Sequence, residues 1–301
     1  MSLYLHVVER LNTASGDKLD ALLMLGGTGT NYQRVLLNVD AKLTQVNAAV
    51  NPVTDKWHSY EFSQPTGSDV SNVSAAGRTD GSFVLVGGTG ADHLTGSAGN
   101  DLLLPGSGSD LLNGGFGTDT AVYSDPRSSY TLTKTSTGFT VTDANGTDTL
   151  QSVERLKFSD GGIALDVGVT QSAGAAQLLL GAVLGKDLLA TKKPLVGTAI
   201  GFFDQGYNLQ QLSGAVMRLD IWGLLANGGL PSATNTQIAN YLLTTVLKAA
   251  PDAATLNASV LALDTETGAA QGDFLWHLAE SAANQIQVGL VGLATTGLEF
   301  G

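Results

Sequence analysis

The chain of 301 residues contains no cysteine, so neither a disulfide nor a thiolate-bound metal holds any part of it together. Histidine is scarce as well: His6, His58, His93 and His277 are the whole supply. None belongs to an H-E-x-x-H pair, which excludes the zinc-protease arrangement on a helix. No G-x-S-x-G occurs, and the lipase nucleophile elbow goes with it. Nothing approaches the roughly 18 uninterrupted apolar residues of a membrane span. The opening MSLYLHVVERLNTASGD lacks the basic start and apolar core of a cleaved export signal. Glutamate is short, with 6 against 21 aspartates. A net charge of −12 argues against nucleic acid or an anionic membrane as partner.

What is present suffices for a core. The chain is 43% hydrophobic and 14% charged, which argues against disorder, and its length implies two or three domains. Residues 1–77 read as a β-rich module, with candidate strands in SLYLHVVERL, KLDALLML, NYQRVLLNV and KWHSYEF. KLDALLML fits a short helix equally well. Residues 78–168 hold a repeat and a β-rich tail, and residues 169–301 turn helical. Gly185, Gly206, Gly228 and Pro251 mark helix stops, and Pro194, Pro231 and Asp252 lie near starts.

The repeat is four consecutive nonapeptides: GGTGADHLT (87–95), GSAGNDLLL (96–104), PGSGSDLLN (105–113) and GGFGTDTAV (114–122). Position 4 is always glycine (Gly90, Gly99, Gly108, Gly117) and position 6 always aspartate (Asp92, Asp101, Asp110, Asp119). Position 8 is Leu94, Leu103, Leu112 and then Ala121. A worn copy, RTDGSFVLV (78–86), keeps Gly81 and Leu85 but has Phe83 for the aspartate. A flexible Gly/Asp-rich linker has no reason to hold phase at three positions across four copies. Glycine permits turns that aim several carbonyls at one point, and aspartate adds a short anionic oxygen. Ca²⁺ takes about 6–8 such oxygens.

This is the G-G-x-G-x-D-x-U-x pattern of calcium-binding parallel β-helices. The segment resembles the repeats-in-toxin (RTX), haemolysin-type calcium-binding family, departing from its pattern at Ser97, Pro105 and Ala121. The resemblance implies a short parallel β-roll with two nonapeptides per turn. Asp92 then pairs with Asp110 on one edge and Asp101 with Asp119 on the other. The implied Ca²⁺ site residues are these four aspartates with the loop glycines Gly87, Gly88, Gly90, Gly99, Gly106, Gly108, Gly115 and Gly117. About two or three ions are expected, at the affinity of extracellular modules, about 10⁻⁴–10⁻³ M. With position 8 inward, positions 7 and 9 face outward. Leu102, Leu104, Thr120 and Val122 make one outer face mostly apolar, so a covering element is expected there. His93, Thr95, Leu111 and Asn113 make the other mostly polar.

Beyond the repeats, strands joined by a hairpin at Asn145-Gly146 are expected. GTDTL, VERLKFSDG and IALDV resemble the segment that closes the roll in that family. Asp143, Asn145 and Asp148 suit hairpin-turn chemistry better than a further cation site. IANYLLTTVLKAAPDAATLNASVLALDTETG, FLWHLAESAANQ and VGLATTGLEF resemble a helical domain of unknown function from secreted bacterial proteins. LLGAVLGKDLL and LLTTVLKAAPD, 63 residues apart, hint at an internal duplication.

The expected fold class is thus multi-domain β plus α: a β-rich N-terminal part, a parallel β-roll and an all-α C-terminal domain. His93 reads as an outward side chain, His277 as helix packing, and Trp57, Trp222 and Trp276 as core. The expected function is non-catalytic: a secreted, extracellular or cell-surface protein whose roll folds on meeting Ca²⁺. The family's route implies export by a type I secretion apparatus through an uncleaved C-terminal signal, and an extracellular partner of unspecified kind. The alternative is the C-terminal export and stability portion of a larger secreted enzyme or adhesin. A small enzyme with its site in residues 1–77 is a weaker third reading.

Overall fold

The computed structural model describes residues 72–77, 79, 82–265 and 271–301, together with the backbone of five strands between residues 4 and 63. The chain forms two compact units, residues 1–163 and 164–301. The break expected after residue 77 adjoins residue 78, which, like Gly81, lies outside the described residues.

In the first unit, one sheet runs β4 (Lys42–Gln45), β5 (His58–Ser63), β1 (Tyr4–Val7), β2 (Asp20–Met24) and β3 (Tyr32–Leu37). It continues through β7 (Phe83–Gly88), β9 (Leu102–Gly106), β11 (Thr120–Val122) and β15 (Arg155–Phe158). The first five strands pair antiparallel, and every pair from β3–β7 onward is parallel. KLDALLML therefore supplies a strand rather than a helix, because neighbours on both sides satisfy its backbone. The four-residue β4 is too short to show a period and was not anticipated.

The second sheet stacks β6 (Asn72–Ser74), β8 (His93–Thr95), β10 (Leu111–Asn113) and β14 (Thr147–Gln151) in parallel. The antiparallel strands β13 (Phe139–Thr142) and β12 (Thr131–Lys134) follow. The chain alternates between the two sheets, which makes a β-roll with an 18-residue turn. Position 8 of each repeat forms its core: Val73, Leu94, Leu112 and Leu150 are in register on one sheet. Leu85, Leu103, Ala121 and Leu156 are in register on the other. All eight are buried. The worn copy thus keeps its place in the roll.

The outer faces differ as their residues suggest. Leu102, Leu104, Thr120 and Val122 are half-buried, and the neighbouring outward Val84 and Val86 are fully buried; on the other sheet His93 and Leu111 are exposed. Past the repeats, Tyr123, Tyr130 and Phe158 pack with ring centroids 5.0–5.7 Å apart. Arg127 lies over Phe158. These residues fill the end of the roll that would otherwise stay open.

The second unit is helical: α1 (Ser172–Leu189), α2 (Lys193–Asp204), α3 (Leu209–Met217), α4 (Trp222–Ala226), α5 (Asn235–Leu247), α6 (Ala253–Thr265), α7 (Gln271–Glu280), α8 (Ala282–Gln287) and α9 (Leu290–Thr296). Helix α1 is apolar all round and lies at the centre of the core, as such a helix must. Gly185 (φ 72°) breaks its helical path where a stop was expected. Helices α3 and α4 are separate, and Trp222 Nε1 donates to the Met217 carbonyl across the break at 3.1 Å. Pro231 lies just before α5, whose start is set by Thr234 in a capping box with Gln237. With a shift of 63 residues, the N-caps Gln171 and Thr234 coincide, as do the left-handed Gly185 and Lys248. The hinted duplication therefore has a counterpart in backbone geometry.

Candidate metal centre

The four aspartates of the repeats form two columns, one on each edge of the roll. In the first, Asp92 N–H donates to Asp110 Oδ1 at 2.7 Å and Asp110 N–H to Asp148 Oδ1 at 2.9 Å. In the second, Phe83 N–H donates to Asp101 Oδ1 at 2.6 Å, Asp101 N–H to Asp119 Oδ1 at 2.7 Å, and Asp119 N–H to Glu154 Oε2 at 2.9 Å. The carboxylates of Asp110, Asp148, Asp101, Asp119 and Glu154 thus each tie one turn to the next, while that of Asp92 accepts from Gly88 N–H in its own loop. Asp92, Asp101, Asp110 and Asp119 are all at most 3% exposed.

The loops between the strands leave no room for side chains. A Cβ at Gly87 would lie 2.2 Å from the Pro105 carbonyl oxygen, and one at Gly106 (φ 96°) 2.0 Å from Gly88 O. Gly108, Gly115 and Gly117 press on the carbonyls of Gly90, Ser97 and Gly99 in the same way. The glycines therefore line each edge with backbone oxygens. Ser97, standing where the pattern has glycine, turns its hydroxyl onto Asp101 Oδ2 at 2.9 Å and accepts from Gly99 N–H at 3.0 Å. This departure leaves the loop intact.

Stacked, buried carboxylates are costly unless charge or protons compensate them. Burial raises the carboxyls of Asp101, Asp110, Asp119 and Asp148 above their ordinary range, Asp119 to about 7. Repulsion from Asp148 and Asp92 adds to the effect at Asp110, and from Asp101 and Glu154 at Asp119. Asp110 Oδ2 and Asp119 Oδ2 are buried with no hydrogen-bond partner. Among the described residues no three His, Asp or Glu side chains converge on one point, so any cation here draws on the loop carbonyls too. An all-oxygen donor set of carboxylate and carbonyl suits Ca²⁺.

Residues 86–121 match the RTX calcium-binding nonapeptide repeat, in four copies. Those four copies are RTX calcium-binding repeats. The match takes in 36 of the 301 residues, so the name applies to those residues and not to the whole chain. No curated protein matches the chain. All of the expected site residues lie in the RTX loops. Asp143 and Asn145 are turn residues as expected: Asp143 Oδ1 accepts from the amides of Asn145 at 2.7 Å and Gly146 at 3.0 Å.

Two members of the columns escaped sequence reasoning. Asp148 was read with the hairpin turn, yet it stands one rung beyond Asp110. Glu154 was read only as part of the closing segment VERLKFSDG, yet it stands one rung beyond Asp119. The signal for the first was present: DANGTDTLQ carries Gly146, Asp148 and Leu150 at positions 4, 6 and 8 of a ninefold frame. The second had none, since SVERLK keeps only the inward leucine.

Proposed function

We propose that this is a secreted, non-catalytic calcium-binding protein whose RTX roll folds on binding Ca²⁺ outside the cell. Two columns of buried carboxylates, each with an unpartnered oxygen on its middle member, carry this reading. Without a cation they repel one another, so binding free energy becomes folding free energy. At cytosolic calcium, far below about 10⁻⁴–10⁻³ M, the roll stays unfolded and fit for threading through a type I apparatus. Extracellular calcium then folds it. The helical unit carries the uncleaved export signal in this scheme, a role that rests on resemblance to secreted RTX proteins. Among the described residues no helix is long and apolar enough to cross a membrane.

The test is a thermal melt of the full chain followed by circular dichroism, in chelator and in millimolar calcium. A calcium-dependent rise in the melting of the β signal is expected. Equal melting in both refutes the proposal. The second reading, the C-terminal export and stability portion of a larger enzyme or adhesin, keeps the same roll and assigns residues 1–77 to the preceding functional domain. The reading frame upstream of Met1 separates the two.

A further inference from the structure

The nonapeptide phase ends at Val122, but the roll does not. Asp148 follows Asp110 by 38 residues rather than 18, because the strands β12 and β13 are inserted between them. Despite that displacement, residues 143–151 occupy the place of a further repeat. Leu150 pairs with Leu112 as Leu112 pairs with Leu94. The Asp110 amide donates to Asp148 Oδ1 as the Asp92 amide donates to Asp110 Oδ1. Thr149 N–H donates to Asp110 O at 2.8 Å, and Leu111 N–H to Asp92 O at 2.8 Å. A Cβ at Gly146 would stand 1.9 Å from Gly108 O, and one at Gly108 2.1 Å from Gly90 O.

We infer that the roll holds a further Ca²⁺ position outside the matched repeats, between loop 105–110 and segment 143–148, with Asp110 and Asp148 as its carboxylates. Carbonyl oxygens of the two segments complete the donor set. The observation that points to a ligand is at Asp110: this side chain is 3% exposed, and its Oδ2 is buried with no hydrogen-bond partner. Asp148 is 6% exposed. Its Oδ2 accepts from the Tyr123 hydroxyl at 3.1 Å, which fixes the carboxylate without neutralising it. Asp143 is engaged in its own turn, accepting from Asn145 and Gly146.

The other edge lacks an equivalent. There Ser152 lies over Gly114, its carbonyl oxygen 2.0 Å from where a Gly114 Cβ would be, and Glu154 lies over Asp119. The chain covers that step in two residues, where the repeat takes five from Gly114 to Asp119. The carbonyl-bearing loop is missing, so the carboxylate alone makes no site. The RTX reading then gives one ion on each edge, and this position adds a third.

This inference rests on the RTX reading, and counting ions separates the two. Equilibrium dialysis of the full chain against Ca²⁺ should find three ions in the wild type, two in Asp148→Asn and three in Asp125→Ala. Two ions in both the wild type and Asp148→Asn overturn the inference and leave the RTX reading standing; none in the wild type sinks both. If Asp148→Asn does not fold, terbium in place of calcium decides. Tyrosine-sensitised emission should fall in Tyr123→Phe, and unchanged emission overturns the inference.

Discussion

The Asp110 amide donates to Asp148 Oδ1 at 2.9 Å, joining the last phased turn of the roll to a segment that returns only after two antiparallel strands. That bond makes the capping hairpin part of the charged edge. The cap and the metal-binding face are therefore coupled, and a change in one should register in the other.

Substitution in the columns should cost more than substitution beside them. Asp110→Ala removes the acceptor of the Asp92 amide, which alone costs about 1–3 kcal/mol when a buried donor is left unpaired. It also removes a calcium ligand. Asp125 is exposed and is held through its backbone, its carbonyl accepting from Ser159 N–H at 3.2 Å and its amide donating to the Tyr130 hydroxyl at 3.4 Å. Asp125→Ala should stay within about 0.5 kcal/mol. Calcium-dependent melting of the two variants checks the order, and a costlier Asp125→Ala would mean that the register is wrong.

The pH response should reverse between calcium-free and calcium-loaded protein. Folding raises the carboxyls of Asp101, Asp110, Asp119 and Asp148 above the ordinary 3.8. The apo folded state therefore holds protons that the unfolded chain has already released. Its stability is greatest at acid pH and falls as pH rises from about 4 to about 7. In chelator the roll should melt higher at about pH 5.5 than at about pH 7.5, while calcium affinity weakens over the same acidification because protons compete for the carboxylates. Melts in chelator at both pH values decide it; a lower melt at acid pH contradicts the charge argument.

The helical unit should be sensitive where helices α3 and α7 meet. A Cβ at Gly272 would stand 2.4 Å from the Gly214 Cα, so the backbones must separate to admit it. Gly272→Ala should destabilise this unit by about 1–3 kcal/mol, the usual cost of overpacking. Calcium stoichiometry should not change. Calorimetry with and without calcium reads both quantities, and unchanged melting would place the crossing elsewhere.

Export should depend on the far end of the chain. Removal of residues 242–301, from the middle of α5 onward, should abolish secretion through a type I apparatus while the roll still binds calcium. Secretion assayed beside terbium or calcium binding tests this. A truncated chain that is still exported by the same apparatus refutes the placement of the signal.

The ninefold phase was enough to determine the roll and its inward leucines, because local spacing sets which side chain faces in and which loop needs glycine. The same phase marked Asp92, Asp101, Asp110 and Asp119 as a set. Helix stops such as Gly185 were equally legible, since a left-handed residue is a local property. Tertiary structure alone decided the rest. KLDALLML became a strand because of its neighbours in the sheet, not its own pattern. Glu154 has no ninefold signal, and that of Asp148 is out of phase with the four repeats; both entered the columns because hydrogen bonding between parallel strands restores register after an insertion or a deletion. A repeat is read from spacing along the chain, whereas a column of carboxylates is built from spacing across it.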